Sequence, residues 1–203
     1  KQRALIYDSP VTGVVKTFTY RELRDEVAQI AGALRHYGIA SGDRVIIYMP
    51  MVPEACFAIL ACARIGAIHS VVFGGFAAAI LAARIDDARP KLMITADGGS
   101  RMGKAVLYKA LVDESLKLAK SPPEKVLIFR RGLDPAMPTV AGRDLDWKSL
   151  ENEFKDAKTP CAWLESNEPS YILYTSGTTG KPKGVQRDVG GYAVALASSM
   201  KRI

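Results

Sequence analysis

The richest chemistry in the chain lies in one run: Thr175-Ser176-Gly177-Thr178-Thr179-Gly180-Lys181-Pro182-Lys183-Gly184. An apolar stretch, Tyr171 to Tyr174, leads into it, and apolar character returns at Val185. Gly177, Gly180 and Gly184 let the backbone turn sharply and approach a ligand closely. Successive N–H groups in such a turn form a concave nest for an anion. Ser176, Thr178 and Thr179 add hydroxyl donors. Lys181 and Lys183 add positive charge, and Pro182 limits the conformations between them. This donor set suits a polyphosphate. It is not a Walker A loop, which needs Gly, four residues, then Gly-Lys-Ser/Thr. Thr175 stands where the first Gly belongs, and Pro182 where a Mg²⁺-binding hydroxyl belongs. The competing reading is an ordinary surface loop, because Gly, Ser and Lys are common there.

The other polar residues are poorer candidates. His36 and His69 have no companion nucleophile, and His69 reads as a satisfied, half-buried histidine. Asp86-Asp87 reads as a solvated helix end, and Asp144 with Asp146 as loop; neither is an acid/base couple. Trp147 and Trp163 read as packing residues. No catalytic side chain is nominated. Cys56, Cys62 and Cys161 show no CxxC or Cys/His ligand spacing, so no metal site is expected; they read as core thiols of a reducing compartment.

The elements that must hold the loop follow from apolar patterning. The chain has 203 residues, 48% hydrophobic and 24% charged, which excludes a disordered chain. Short strands are expected at Ala4–Tyr7 and Thr17–Thr19. Thr19-Tyr20-Arg21-Glu22 fits a capping box opening a helix. Leu23, Val27, Ile30 and Leu34 continue it at helical spacing, and Gly38 suits its left-handed end. Strands are expected at Arg44–Met49, Ile68–Phe73, Lys91–Thr95, Lys125–Phe129 and from Tyr171. Helices are expected at Glu54–Arg64, Phe76–Asp87, Lys104–Leu118 and near Trp147–Phe154. Continuous apolar strands alternating with helices predict an α/β fold, a mainly parallel sheet flanked by helices. Ile65 to Ala83 carries no charge, but its Gly74-Gly75 pair marks strand, turn and helix rather than a membrane span. The chain opens on Lys1-Gln2-Arg3 without a signal peptide and without Met, and stops at Ile203 inside an apolar pattern. Both ends read as cut.

Lys plus Arg (28) exceed Asp plus Glu (21), a net charge of +7. That balance favours anionic partners. A nucleic-acid partner is not expected, because no basic stripe carries interleaved aromatics.

All ten residues from Thr175 to Gly184 fit the phosphate-loop signature of the adenylate-forming enzymes, which the chain resembles from about Ala4 onward. Three stretches resemble the short-chain acyl-CoA synthetases: IGAIHSVVFGGF (Ile65–Phe76), ITADGGSRMGK (Ile94–Lys104) and GVQRDVGGYAVAL (Gly184–Leu196). The last is more similar to propionyl-CoA than to acetyl-CoA synthetases. The resemblance implies an AMP-forming ligase. ATP and a short-chain carboxylate, propionate by this likeness, would give an acyl-adenylate and pyrophosphate. Coenzyme A would then take the acyl group and release AMP.

By the same likeness, Thr175, Ser176, Gly177, Thr178, Thr179, Gly180, Lys181 and Lys183 would hold the β- and γ-phosphates, with Mg²⁺ riding on ATP. Phe73, Gly74 and Gly75 would meet the nucleotide end of coenzyme A. Arg101, Met102, Gly103 and Lys104 would form its phosphate contact, with Arg101 and Lys104 facing the 3′-phosphate. Lys104 stands where the family often has Arg. On residue type alone, Gly74-Gly75 also fits a plain strand-to-helix turn, and Arg101 and Lys104 fit exposed charges at a helix start. The family's acyl pocket, its C-terminal domain and its adenylation lysine are expected beyond Ile203. The 203 residues would be part of the N-terminal domain, inactive alone. Acetate specificity and a non-catalytic nucleotide- or coenzyme A-binding module stay open. A cytoplasmic setting, or the mitochondrial matrix in a eukaryote, is expected, with no membrane partner.

Overall fold

The computed structural model describes residues 2–175 and 182–202. In chain order the elements are β1 (Arg3–Ser9), β2 (Val14–Thr19), α1 (Tyr20–His36), β3 (Arg44–Met49), α2 (Pro53–Ile65), β4 (Ile68–Phe73), α3 (Ala78–Ala88) and β5 (Leu92–Ala96). They continue as β6 (Gly98–Arg101), β7 (Lys104–Leu107), α4 (Tyr108–Leu118), β8 (Lys125–Phe129), β9 (Asp144–Asp146), α5 (Trp147–Glu153), β10 (Pro169–Thr175), β11 (Lys183–Asp188) and α6 (Val189–Met200).

A seven-stranded sheet runs β11-β10-β4-β3-β5-β8-β9. Every neighbouring pair is parallel except β10 and β11. The expected α/β architecture is therefore present, with one antiparallel strand at the edge. β3 shows why its strands read as unbroken apolar runs. Val45, Ile47 and Met49 pack with α1, α2 and α5, while Ile46 and Tyr48 pack with α3 and α4. Alternate side chains thus fill two cores, and neither face can be polar. Burying each such side chain stabilises the fold by about 1.5–3 kcal/mol.

α1 starts at the anticipated capping box. The Thr19 N–H donates to Glu22 Oε2 at 2.7 Å, and the Glu22 N–H donates to Thr19 Oγ1 at 3.3 Å. Gly38, just past Tyr37, has φ +79°, the left-handed position expected of it.

One expected element is corrected. Lys104 to Leu118 is not a continuous helix: Lys104–Leu107 is β7, paired antiparallel with β6, and α4 begins at Tyr108. Met102 (φ +51°) and Gly103 (φ +77°) make a two-residue turn with both central residues left-handed. That turn matches the twist of a hairpin and closes β6 on β7. Buried Asp97 fixes its base, accepting N–H donation from Gly98 at 2.7 Å and from Leu133 at 3.0 Å.

Candidate functional site

β10 lies beside β4 in parallel, with Tyr171 opposite His69. On its other side it pairs with β11, from Pro169 opposite Asp188 to Thr175 opposite Lys183. Thr175 and Lys183 therefore face each other at the end of this hairpin where the connecting segment leaves and returns. Ser176, Gly177, Thr178, Thr179, Gly180 and Lys181 lie outside the described residues. Gly184 is a close-approach position: a Cβ there would lie 3.1 Å from Asp87 Oδ2 and 3.2 Å from Tyr174 Cε1. A cavity of about 590 Å³ opens beside the hairpin end, with Phe73, Phe76, Arg84, Tyr174, Thr175 and Pro182 in its wall.

A second cavity, of about 380 Å³, lies beyond the carboxyl ends of β3 and β4. Phe73, Gly74, Gly75, Arg101, Tyr108 and Arg131 line it. Two tyrosines shape the glycine turn in its wall. The Gly75 N–H donates to Tyr48 Oη at 3.0 Å, and that hydroxyl donates to the Phe76 carbonyl at 2.9 Å. Gly75 has φ +93°, which a side chain would strain. Burial pushes the Tyr48 hydroxyl up to about 12, so it stays protonated as a donor. Gly74 is required for a different reason: a Cβ there would lie 2.4 Å from Tyr108 Oη. Gly99, in β6, meets the same oxygen at the same distance. Tyr108 is thus wedged between two backbones that carry no side chain.

Of the residues nominated for coenzyme A, Phe73, Gly74, Gly75 and Arg101 converge on this cavity. Met102, Gly103 and Lys104 are exposed at the hairpin tip and do not line it. Arg101 and Lys104 occupy opposite strands as a register pair, not a helix start. Arg131 joins Arg101 in the cavity wall. Its guanidinium donates to the Gly98 carbonyl at 3.3 Å and reaches Tyr7 Oη at 3.5 Å. Neither Arg101 nor Arg131 has a carboxylate within ion-pair distance among the described residues. The usable signal for Arg131 was its place just after β8, where parallel strands deliver their loops to one edge.

Other residues depart from expectation. His69 is buried and stacks on Tyr171 at 5.7 Å, but its Nδ1 makes no hydrogen bond among the described residues. It is buried, not satisfied, and burial lowers its pKa to about 4. Asp86 is no bare helix end: it accepts N–H donation from Lys120 at 2.6 Å and Ser121 at 3.0 Å. Asp87 accepts from Tyr174 Oη at 2.7 Å. Asp144 lies in a short strand and joins an ion-pair network with Lys109 and Arg143. Trp147 packs in the core, whereas Trp163 is fully exposed because its segment crosses the surface. Cys62 is a core thiol; Cys56 and Cys161 are exposed. Helical spacing turns Phe57, Ala58, Ala61 and Cys62 inward on α2, and Cys56 falls outside that stripe.

Comparison with known proteins adds independent findings. A family model described as "AMP-binding enzyme" matches residues 1–203. A propionate–CoA ligase of Escherichia coli K12 is 59% identical over 200 residues, covering 98% of this chain and 32% of that protein. Human acyl-CoA synthetase short-chain family member 3, mitochondrial, is 52% identical over 200 residues, covering 98% of this chain and 29% of its own length. The solved acetoacetyl-CoA synthetase from Streptomyces lividans matches with a TM-score of 0.84 and 30% identity, over 96% of this chain and 29% of that one. The chain spans about a third of the length of the curated relatives it matches.

Proposed function

The chain belongs to the AMP-binding enzymes, and from that membership we propose that its protein is an AMP-forming short-chain acyl-CoA synthetase acting on propionate. These residues would be part of its N-terminal domain. The observation that carries the reading is the pairing of Thr175 with Lys183, which closes the Gly/Ser/Thr/Lys segment next to the end of β4 that bears Phe73–Gly75. Identity to propionate–CoA ligase supports the choice of acid.

The chemistry asks little of acid/base groups. A carboxylate is already ionised at neutral pH and needs no base to become the nucleophile. Two anions must instead be brought together, so neutralisation and positioning dominate. Thr175, Ser176, Gly177, Thr178, Thr179, Gly180, Lys181 and Lys183 supply amide, hydroxyl and ammonium donors of the kind a triphosphate tail requires. Mg²⁺, arriving with the nucleotide, would offset phosphate charge. The second cavity fits the nucleotide end of coenzyme A, with Phe73 exposed as an apolar face and Arg101 without an ionic partner among the described residues. Lys104, at the exposed tip, would meet a phosphate only from outside that cavity. Among the described residues no helix is long and apolar enough to cross a membrane. We place the enzyme where ATP and coenzyme A are available, in the cytoplasm or the mitochondrial matrix.

The test is propionate-dependent ATP–pyrophosphate exchange by the full-length protein, followed by AMP release on adding coenzyme A. Propionate should exceed acetate in kcat/KM by about 10-fold or more, the worth of one methylene in an apolar pocket. Absence of exchange with any short-chain acid overturns the reading; a preference for acetate overturns only the choice of acid.

A further inference from the structure

Two side chains one turn apart on α3 close on a single residue at the end of β10. The Arg84 guanidinium lies 5.1 Å from the Tyr174 ring centroid, and 5.2 Å from that of Phe76 on its other contact. Asp87 Oδ2 accepts a hydrogen bond from the Tyr174 hydroxyl at 2.7 Å. Tyr174 directly precedes Thr175, the last paired residue before the phosphate segment. Across the hairpin, a Cβ at Gly184 would press tightly on both, 3.1 Å from Asp87 Oδ2 and 3.2 Å from Tyr174 Cε1.

Packing of α3 does not demand this arrangement. Leu81 and Ile85 already seat the helix against the core. Arg84 is buried, its guanidinium donates to the Ile80 carbonyl at 2.9 Å, and it has no ion pair among the described residues. A buried cation without a carboxylate is costly, and two aromatic faces recover part of that cost. The side chains are spent on Tyr174.

We propose that Arg84 and Asp87 are positioning residues, which fix Tyr174 and through it the Thr175 end of the phosphate loop to α3. This rests on the reading of Thr175–Lys183 as the ATP phosphate loop. α3 begins shortly after Phe73–Gly75, so one rigid helix sets both the loop anchor and the glycine turn of the other cavity. Arg84 holds the ring by its face, and Asp87 fixes its rotation through the hydroxyl.

The experiment uses the full-length protein and the variants Tyr174→Phe, Asp87→Ala, Asp87→Asn and Arg84→Met. ATP–pyrophosphate exchange reads the first half-reaction. Thioester formation from supplied acyl-adenylate reads the second. Tyr174→Phe and Asp87→Ala should each lower kcat/KM for ATP by about three- to tenfold, the scale of the net contribution of one ordinary hydrogen bond. The second half-reaction should stay within twofold of the parent. Asp87→Asn, which keeps an acceptor, should recover most of the loss. The double variant Tyr174→Phe/Asp87→Ala should be no worse than either single, because both remove one bond. Arg84→Met should slow exchange even in the Tyr174→Phe background, because it removes the contact with the ring face. Unchanged exchange, equal losses in both half-reactions, or additive losses in the double variant would overturn the proposal. If the parent shows no exchange, the functional reading fails and ATP affinity becomes the readout: the same three- to tenfold weakening supports the clamp, and equal or absent binding overturns it.

Discussion

Gly74→Ala separates a glycine that exists for packing from one that exists for a ligand. The added Cβ would lie 2.4 Å from Tyr108 Oη, 2.7 Å from Cζ and 2.8 Å from Cε2. Real Cβ atoms do not approach that closely, so Tyr108 must move. It has little freedom, because Gly99 confines the same hydroxyl from the other side, and its ring packs against Tyr48 at 5.1 Å. Overpacking of this kind costs about 1–3 kcal/mol. Gly74 is not in the left-handed region, so alanine also restricts the unfolded chain, which returns about 0.4–1 kcal/mol. A net loss of about 1–2 kcal/mol corresponds to a fall of about 2–8 °C in Tm for a domain of this size. Thermal unfolding checks it, with Tyr108→Leu as second mutation: coupling between the two should exceed the ~0.5 kcal/mol scatter of additive pairs. An unchanged melt with a raised KM for coenzyme A would refute the packing argument and leave Gly74 as a ligand contact alone. Strict additivity with Tyr108→Leu would refute the wedge.

Two further outcomes are expected. Lys109 is fully buried, with its ammonium 2.6 Å from Asp113 and 3.0 Å from Asp144, while Arg143 reaches the same two carboxylates at 2.6 Å. Lys109→Met leaves the buried Asp144 carboxylate with Arg143 as its one ionic partner among the described residues, beside the Val140 N–H at 2.9 Å, and urea unfolding should show a loss of about 3 kcal/mol, the low end for breaking a buried pair; a loss under about 1 kcal/mol would mean that these two suffice. His69 has a folded pKa near 4, lowered by burial, against about 6.5 when unfolded. Between those values the unfolded chain binds more protons, so stability should fall by up to about 3 kcal/mol as pH drops from about 6.5 to about 4. His69→Phe should remove that slope, and an unaltered pH profile would assign the slope to other groups.

The sheet was legible wherever local chemistry and tertiary demand agree. Arg44–Met49, Ile68–Phe73 and Lys125–Phe129 are strands with the bounds that their apolar runs predict. Each follows a helix in the chain and is set off from it by turn-forming or polar residues, so nothing competes with the period. Lys104–Leu118 failed because Val106, Leu107, Leu111 and Leu118 mimic a helical stripe. The deciding facts were the left-handed Met102, which its residue type conceals, and the Asp97 carboxylate, which staples Gly98 to Leu133 just beyond the carboxyl ends of β5 and β8. β9 has three residues, too few for any pattern. For the candidate site, residue type exposed the phosphate segment. It could not show that Arg131 and Arg101 share a cavity, because only folding brings those strand ends together. Tyr174 was read as strand, and its grip by Arg84 and Asp87 has no sequence period to reveal it.

The direction of the strands explains why the notable segments meet. β3, β4, β5, β8 and β10 run parallel, so the residues after each emerge at one edge of the sheet. Among the described residues these are Pro50, Gly74-Gly75, Gly98-Gly99 beyond Asp97, and Arg131-Gly132. The chain must break its sheet hydrogen bonding there and turn into a helix or hairpin, which favours Gly and Pro. The same backbone freedom permits close approach to a ligand. The structural and functional readings of these glycines are therefore one requirement viewed from two sides. β11 completes the arrangement by running antiparallel: its first residue, Lys183, arrives at the edge where Thr175 ends. Val71, Val72 and Phe73 form a wall common to both cavities. β3 pairs with that wall along one side, Ile47, Tyr48 and Met49 lying opposite Val71, Val72 and Phe73, so a shift of the wall for one cavity alters the other. A ligand pressing on Phe73 from either side thus acts on the same strand end.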